Sequence, residues 1–236
     1  HSHIEHLYSI LEWCKENGVK NIFLHLFTDG RDAPPFSSIE YMDDLKSKIK
    51  ELKVDAKIAS ISGRYYGMDR DKHWERTKKS YNAMIGIGKN KCTDTTEAIQ
   101  ESYDKKKTDE FIEPINICEK DGKSIGSINN GDAILFFNIR PDRSRQILDA
   151  FVKKSFNAFK RKTFKDLYVA TLTEYDHNKD VDVVFPEKDI RNTLGEVLSN
   201  NKIKQYHIAE TEKYAHVTYF FNGGKEKPFK GEKRVI

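Results

Sequence analysis

The chain has 236 residues, 37% of them hydrophobic, with 41 basic against 37 acidic side chains and a formal net charge of +4. That length fits one large α/β domain or two small ones around a lean core. The scattered positive excess offers no basic stripe for nucleic acid, and no apolar run reaches the length of a membrane span or forms a signal peptide.

Cys14, Cys92 and Cys118 are far apart, without a CxxC pair. A thiolate zinc site is therefore not expected, and the spacing suits a reducing compartment. Ile4, Leu7, Ile10, Leu11 and Cys14 recur at helical spacing, with Gly18 placed to cap the C-terminus. Residues 21–27 (NIFLHLF) read as a buried strand ending in a charged turn at 28–35. Ser37 or Ser38 is expected to cap the next helix, with Ile39, Met42, Leu45 and Ile49 on one face. A second strand over 56–62 leads into the loop GRYYGMDRD at 63–71. A helix over 73–85, a loop over 86–93 and a helix over 95–105 follow.

Segments 111–119 and 123–128 flank Asp121-Gly122, a hairpin signal, and read as a small antiparallel ribbon. Residues 133–139 (AILFFNI) form the most apolar strand, followed by the turn Arg140-Pro141-Asp142-Arg143 and a helix over 144–152. A strand over 167–172, a helix over 192–199, a strand over 205–209 and a helix over 211–221 complete the pattern. No internal repeat and no linker long enough to split the chain is visible. The expected fold is α/β, a single three-layer α/β/α domain with a largely parallel sheet and a small antiparallel appendage.

Three of these strands end in arginine-bearing turns, and open parallel sheets bind ligands outside the carboxyl ends of their strands. Topology therefore predicts that Arg31, Arg64, Arg70, Arg140 and Arg143 share one crevice. Guanidinium forks suit carboxylate or phosphate. Each turn has a plainer reading. DGRD at 29–32 is an ordinary turn taken alone, Arg64 and Arg70 have Asp69 and Asp71 at hand, and Pro141 and Asp142 suit a helix start. Two arginines at a helix N-terminus, however, are unfavourable unless an anion is bound. The functional reading puts Arg31 on an anion and leaves Asp32, kept ionised by an adjacent arginine, to accept a proton from a substrate hydroxyl. Asp69 and Asp71 are expected to hold the Arg64 and Arg70 forks. Lys213 is misplaced at a helix N-terminus, which suggests a ligand. His1, His3 and His6 are a weak metal pattern, with His3 and His6 read as helix-surface or first-turn residues.

Taken together, several stretches resemble the cofactor-independent (2,3-bisphosphoglycerate-independent) phosphoglycerate mutase family. They are HSHI at 1–4, DGRD at 29–32, SGRYYGMDRDK at 62–72, TDEF at 108–111, FFNIRPDR at 136–143, NTLGEVL at 192–198 and IAETEKYAHVTYFFNGG at 208–224. The resemblance runs through the whole chain in the family's order. It implies an isomerase of glycolysis and gluconeogenesis that interconverts 3-phosphoglycerate and 2-phosphoglycerate. In that family a domain resembling alkaline phosphatase carries two divalent metals, typically manganese, and a serine that takes up the phosphoryl group. No 2,3-bisphosphoglycerate is needed.

The resemblance makes residues 1–236 the substrate-binding insertion domain, with the metal-bearing domain absent and no catalytic metal bound here. It assigns Asp32 and Lys213 to catalysis, and His1, Arg31, Asp32, Arg64, Arg70, Arg140, Arg143 and Lys213 to the substrate. The full-length protein would be a cytoplasmic monomer, partnered by substrate and by its own phosphatase-like domain, without nucleic acid or membrane. This chain alone would be inactive. The competing expectations are a stand-alone phospho-ligand-binding module without catalysis and an RNA-binding protein, the latter lacking RNP or KH signatures.

Overall fold

The structure is a computed structural model that describes residues 2–176, 181–186 and 190–236. The chain divides into two compact units, His1–Pro186 and Glu187–Ile236, where one undivided domain was expected.

The first unit begins with α1 (Ile4–Glu16), which buries Leu7 and Leu11 on one stripe. His3 is its N-cap: its Nδ1 accepts from the Glu5 amide, and its own amide donates to His6 Nδ1, both at 3.3 Å. The first-turn role expected of these histidines holds. Gly18, at φ +66°, turns the chain out of the helix as expected. Then come β1 (Ile22–Thr28), α2 (Ser38–Leu52), β2 (Ala56–Gly63), the single turn α3 (Arg64–Gly67), α4 (Trp74–Met84), β3 (Asn90–Cys92) and α5 (Thr95–Asp104). A 3-10 turn, Asp109–Phe111, leads to β4 (Ile115–Ile117). After it come β5 (Ala133–Phe136), α6 (Arg145–Val152), β6 (Tyr168–Thr173) and β7 (Asp182–Phe185). The loop expected over 86–93 contains β3, a short polar strand with no apolar signature.

The fold is mixed α/β with mostly parallel pairing and a small antiparallel part. The strands nevertheless form separate sheets rather than one. The first has the order β1-β2-β4-β3, parallel except between β2 and β4, and the second is the all-parallel β5-β6-β7. The expected ribbon over 111–128 shrinks to one antiparallel bridge, Cys118 to Ser124, closed by Gly122 at φ +82°. Its first half is drawn into the first sheet as β4. Two apolar clusters match the two sheets. One joins α1, α2 and α5 to β1, β2 and β4. The other gathers α4, α6, β5 and β6 around Tyr81, Phe136, Phe151 and Tyr175.

In the second unit, α7 (Leu194–Asn200) packs near β8 (Gln205–Ile208), which pairs in parallel with β9 (Glu232–Val235). The helix expected over 211–221 breaks into a 3-10 turn, Thr211–Lys213, and a π-helical turn, His216–Phe220. Among the described residues no helix is long and apolar enough to cross a membrane.

The cap of α2 corrects an expectation. Ser37 stands at the N-cap, but its side chain makes no capping bond. The carboxylate of Asp109, 1% exposed, accepts instead from the Ser37 and Ser38 amides at 2.9 and 3.0 Å and from the Tyr103 hydroxyl. Its carbonyl accepts from Thr28 Oγ1 at 2.7 Å. One buried acid thus satisfies orphan helix donors and fixes the carboxyl end of β1. Replacing it with alanine leaves those donors buried and unmatched. Asp109→Ala is expected to cost about 3 kcal/mol, read as a lower urea midpoint at unchanged slope.

Candidate functional site

The turn after β1 is built on Asp29. Its Oδ1 accepts from the amides of Arg31 (3.2 Å) and Asp32 (3.1 Å), closing a tight loop. Gly30 in that loop has φ +68°, and a Cβ there would lie 2.6 Å from the Glu110 amide nitrogen. Gly63, at the end of β2, faces the same segment, where a Cβ would come within 2.3 Å of the Glu110 carbonyl oxygen. The TDEF turn therefore presses on both strand ends, and only glycine leaves room for it.

Arg64 follows at once. Its side chain is 4% exposed, and its Nη1 donates to Asp29 Oδ1 at 2.5 Å and to Asp32 Oδ2 at 2.7 Å. Burial works against its charge, but the bonds to Asp32 and Asp29 outweigh it and raise its pKa. Arg64 Nε is buried without a hydrogen-bond partner among the described residues. Asp32 is held below the usual carboxylate range, chiefly by the Arg64 bond and only slightly by Arg31. The arginine that keeps Asp32 ionised is thus Arg64, not its neighbour in sequence. Arg31 is largely exposed and reaches Glu110 at 3.6 Å.

The loop after α3 is tied to the turn before α6. Arg70 Nη1 donates to Asp142 Oδ2 at 2.6 Å, and Arg140 Nε to Asp142 Oδ1 at 2.8 Å. Arg143 Nη1 donates to the Met68 carbonyl at 3.2 Å. Gln146 at the start of α6 accepts from the Lys72 amide at 2.9 Å and donates to Asp69 Oδ2 at 2.8 Å and Thr77 Oγ1 at 2.6 Å. Arg143 is half-buried. Its pKa is lowered first by burial and then by the neighbouring charges of Arg64, Arg70 and Arg31, with Asp142 opposing. Arg143 thus senses the charges of three arginines from turns far apart in sequence, while Arg140 shares Asp142 with Arg70.

The expected partners of the forks are different. Asp69 and Asp71 do not hold Arg64 and Arg70; Asp29, Asp32 and Asp142 do. Asp69 is a buried cap. Its oxygens accept from the amides of Asp71 and His73, from His73 Nδ1, from Gln146 and from Arg76. Arg76 also lies 3.9 Å above the Tyr65 ring, so Tyr65 and its neighbour Phe111 brace the arginine turn. Sequence reading missed Asp29 and Asp142 as ligands of arginine because an Asp in a turn or before a helix is already explained locally. Gln146 carried no signal at all.

Asp69, Asp71 and His73 are the described residues whose ligand atoms come close enough, within 4.8 Å, to share a cation. They do not fit the metals that the resemblance implies. Both Asp69 oxygens are already engaged, and a guanidinium stands 3.4 Å away. Lys213 lies exposed in the 3-10 turn of the second unit. His1 lies outside the described residues.

The fold defines an α/β domain that gathers arginines in the turns at the carboxyl ends of parallel strands, where such sheets place their ligands. The family described as "BPG-independent PGAM N-terminus (iPGM_N)" matches residues 1–177. The 2,3-bisphosphoglycerate-independent phosphoglycerate mutase of Clostridioides difficile is 50% identical over 238 aligned residues, covering 100% of this chain and 46% of the relative. The protein of the same name from Methanococcoides burtonii is 47% identical with the same coverages. A crystal structure of Leishmania mexicana phosphoglycerate mutase, at low cobalt concentration, superposes with a TM-score of 0.79 at 30% identity, over 100% of this chain and 45% of that one. The chain belongs to the family of 2,3-bisphosphoglycerate-independent phosphoglycerate mutases, and spans about half the length of the relatives it matches.

Two carboxylates of the site, Asp32 and Asp142, are shifted in the same direction. Asp142 is depressed because the Arg70 and Arg140 bonds outweigh its burial, and Asp32 because of Arg64. A carboxylate whose folded pKa is lowered contributes stability above its unfolded value, about 4, and loses it as pH falls through the folded value. Carbon-detected NMR titration should therefore find both midpoints below 3.8, the ordinary value for aspartate. In an Arg64→Met variant the Asp32 midpoint should rise while that of Asp142 stays. A coupled rise of both would contradict the pairing described here.

Proposed function

We propose that residues 1–236 serve as the substrate-holding part of a phosphoglycerate mutase, interconverting 3-phosphoglycerate and 2-phosphoglycerate together with the rest of the polypeptide. The observation that carries this reading is Arg143. It is half-buried, hydrogen-bonded among the described residues to a carbonyl rather than a carboxylate, and near enough to Arg64, Arg70 and Arg31 for their charges to lower its pKa. An anion placed beside it relieves that repulsion, and a phosphorylated glycerate offers both a carboxylate and a phosphate to such forks. Arg31, Arg70 and Arg140 are exposed at the same strand ends and supply further donors.

On this reading the glycerate oxygen that loses its phosphoryl group takes up the proton given up by the attacking serine, and Asp32, ionised at neutral pH, then takes the proton of the other glycerate hydroxyl as it attacks the phosphoserine, the proton passing on to the leaving serine oxygen. The phosphoryl group is parked meanwhile on a serine outside these residues. The arginines hold the glycerate through that interval, since an intermediate that must not escape needs several simultaneous contacts. His1 and Lys213 are assigned to the phosphoryl end by the family resemblance. The same reading makes the protein a cytoplasmic monomer, independent of 2,3-bisphosphoglycerate, and makes this chain by itself inactive.

Calorimetric titration of 3-phosphoglycerate into the 236-residue chain tests the proposal. Weak, salt-sensitive binding is expected, reduced at least about tenfold by Arg143→Gln. Binding as tight as that of the full-length protein would favour a stand-alone module. Turnover by the chain alone would overturn the division of labour.

A further inference from the structure

The first unit contains a cavity of about 630 Å³ between its two sheets, lined mainly by apolar side chains of α1, β1 and β5. Its lining has an unusual pattern. Every residue from 21 to 27 and every residue from 131 to 138 borders it. A strand that shows a cavity its face contributes alternate residues, because side chains alternate across a sheet. A strand that contributes consecutive residues is presenting its edge. β6, one strand further in, supplies the contrast: only Tyr168 and Ala170 reach the cavity. β1 pairs with β2 alone and β5 with β6 alone, so the two edges that line the cavity are those lacking a ladder among the described residues.

These are the wrong strands to be edges. IFLHLF in β1 and AILFF around β5 are continuous apolar runs, the pattern of parallel strands buried on both faces. They carry none of the charges or prolines that protect an exposed edge. Phe23 and Leu135 are each about two-fifths exposed. An engineered apolar core cavity of about 150 Å³ stays empty; a space of about 630 Å³, this apolar and partly open to solvent, is a seat for something.

We propose that the cavity receives one extended apolar strand of the same polypeptide, drawn from the roughly half of the relatives' length that these residues do not span. The strand runs parallel to β1 and β5 and hydrogen-bonds to both, merging the two sheets in the order β7-β6-β5-strand-β1-β2-β4-β3. The entry to α1 fits this placement. Ser2 Oγ donates to the Phe137 carbonyl at 3.0 Å, which puts the residues before α1 at the carboxyl end of β5. A strand joined to α1 there would make α1 the crossover onto β1, the right-handed strand–helix–strand unit that parallel sheets are built from. Its carboxyl end would then lie beside the turns that carry the arginines.

Amide hydrogen exchange, followed by mass spectrometry on the 236-residue chain and on the full-length protein, tests this. Peptides covering β1 and β5 should exchange about 100-fold more slowly in the full-length protein, while those covering α2 and β2 change little. Equal rates in both proteins would overturn the proposal. So would protection in the short chain that rises with its concentration, which would assign the seat to a second copy. Leu135→Lys provides a second measurement. It should leave the urea midpoint of the short chain nearly unchanged but abolish the extra protection in the full-length protein. Retained protection would place the strand elsewhere.

Discussion

The pairing of the buried Arg64 guanidinium is the interaction on which the cluster of arginine turns depends. Arg64 sits at the end of β2 and reaches two carboxylates in the turn after β1, so two adjacent parallel strands are fastened at their carboxyl ends. Removing water from an arginine is costly, and the cost is recovered only when the geometry fixes its partners. Here the glycines at 30 and 63 allow the TDEF turn to close over both strand ends, and Asp109 locks that turn to α2. The pairing therefore constrains the backbone more than it stabilises it. Asp29 and Asp32 are too exposed for their attraction to Arg64 to be large.

A second lacing, through Arg70, Asp142, Arg143 and Gln146, brings the turn after β5 against the loop after α3. It joins the two sheets at the carboxyl ends of β2 and β5, although among the described residues no strand ladder joins them along their length. Charges of one sign are thereby held close without full neutralisation. On the proposed reading an anion would find its donors preorganised, because the repulsion is met by folding rather than by binding.

Much of this was legible in the sequence. Helices α1, α2, α4, α5 and α6 follow from apolar spacing and turn residues. The convergence of three arginine turns follows from strands that all end in charge. What could not be read depends on distant partners. Asp109 caps a helix that starts 71 residues earlier in the chain, so the nearer Ser37 was the natural reading. Asp142 serves an arginine 72 residues away, whereas Asp71 is adjacent to it in sequence. The segment over 211–221 has helical composition throughout, yet it splits into a 3-10 and a π turn, for which apolar spacing gives no warning.

The expectation of a single sheet differs from the observed pair in an instructive way. It rested on the alternation of helices and strands along the chain, and the apolar runs at 21–27 and 133–139 have the composition of central strands. Composition reports the environment for which a strand is suited, and here that environment is burial on both faces with ladders on both sides. The structure places both strands at edges, facing a shared apolar cavity. Local preference and observed pairing usually agree in a folded protein, and a conflict at two strands that face each other is more economically explained by one missing neighbour than by two independent exceptions. Both sequence and structure are then consistent: the strands have the composition of an interior position, and the cavity between them has the shape of what would make it one.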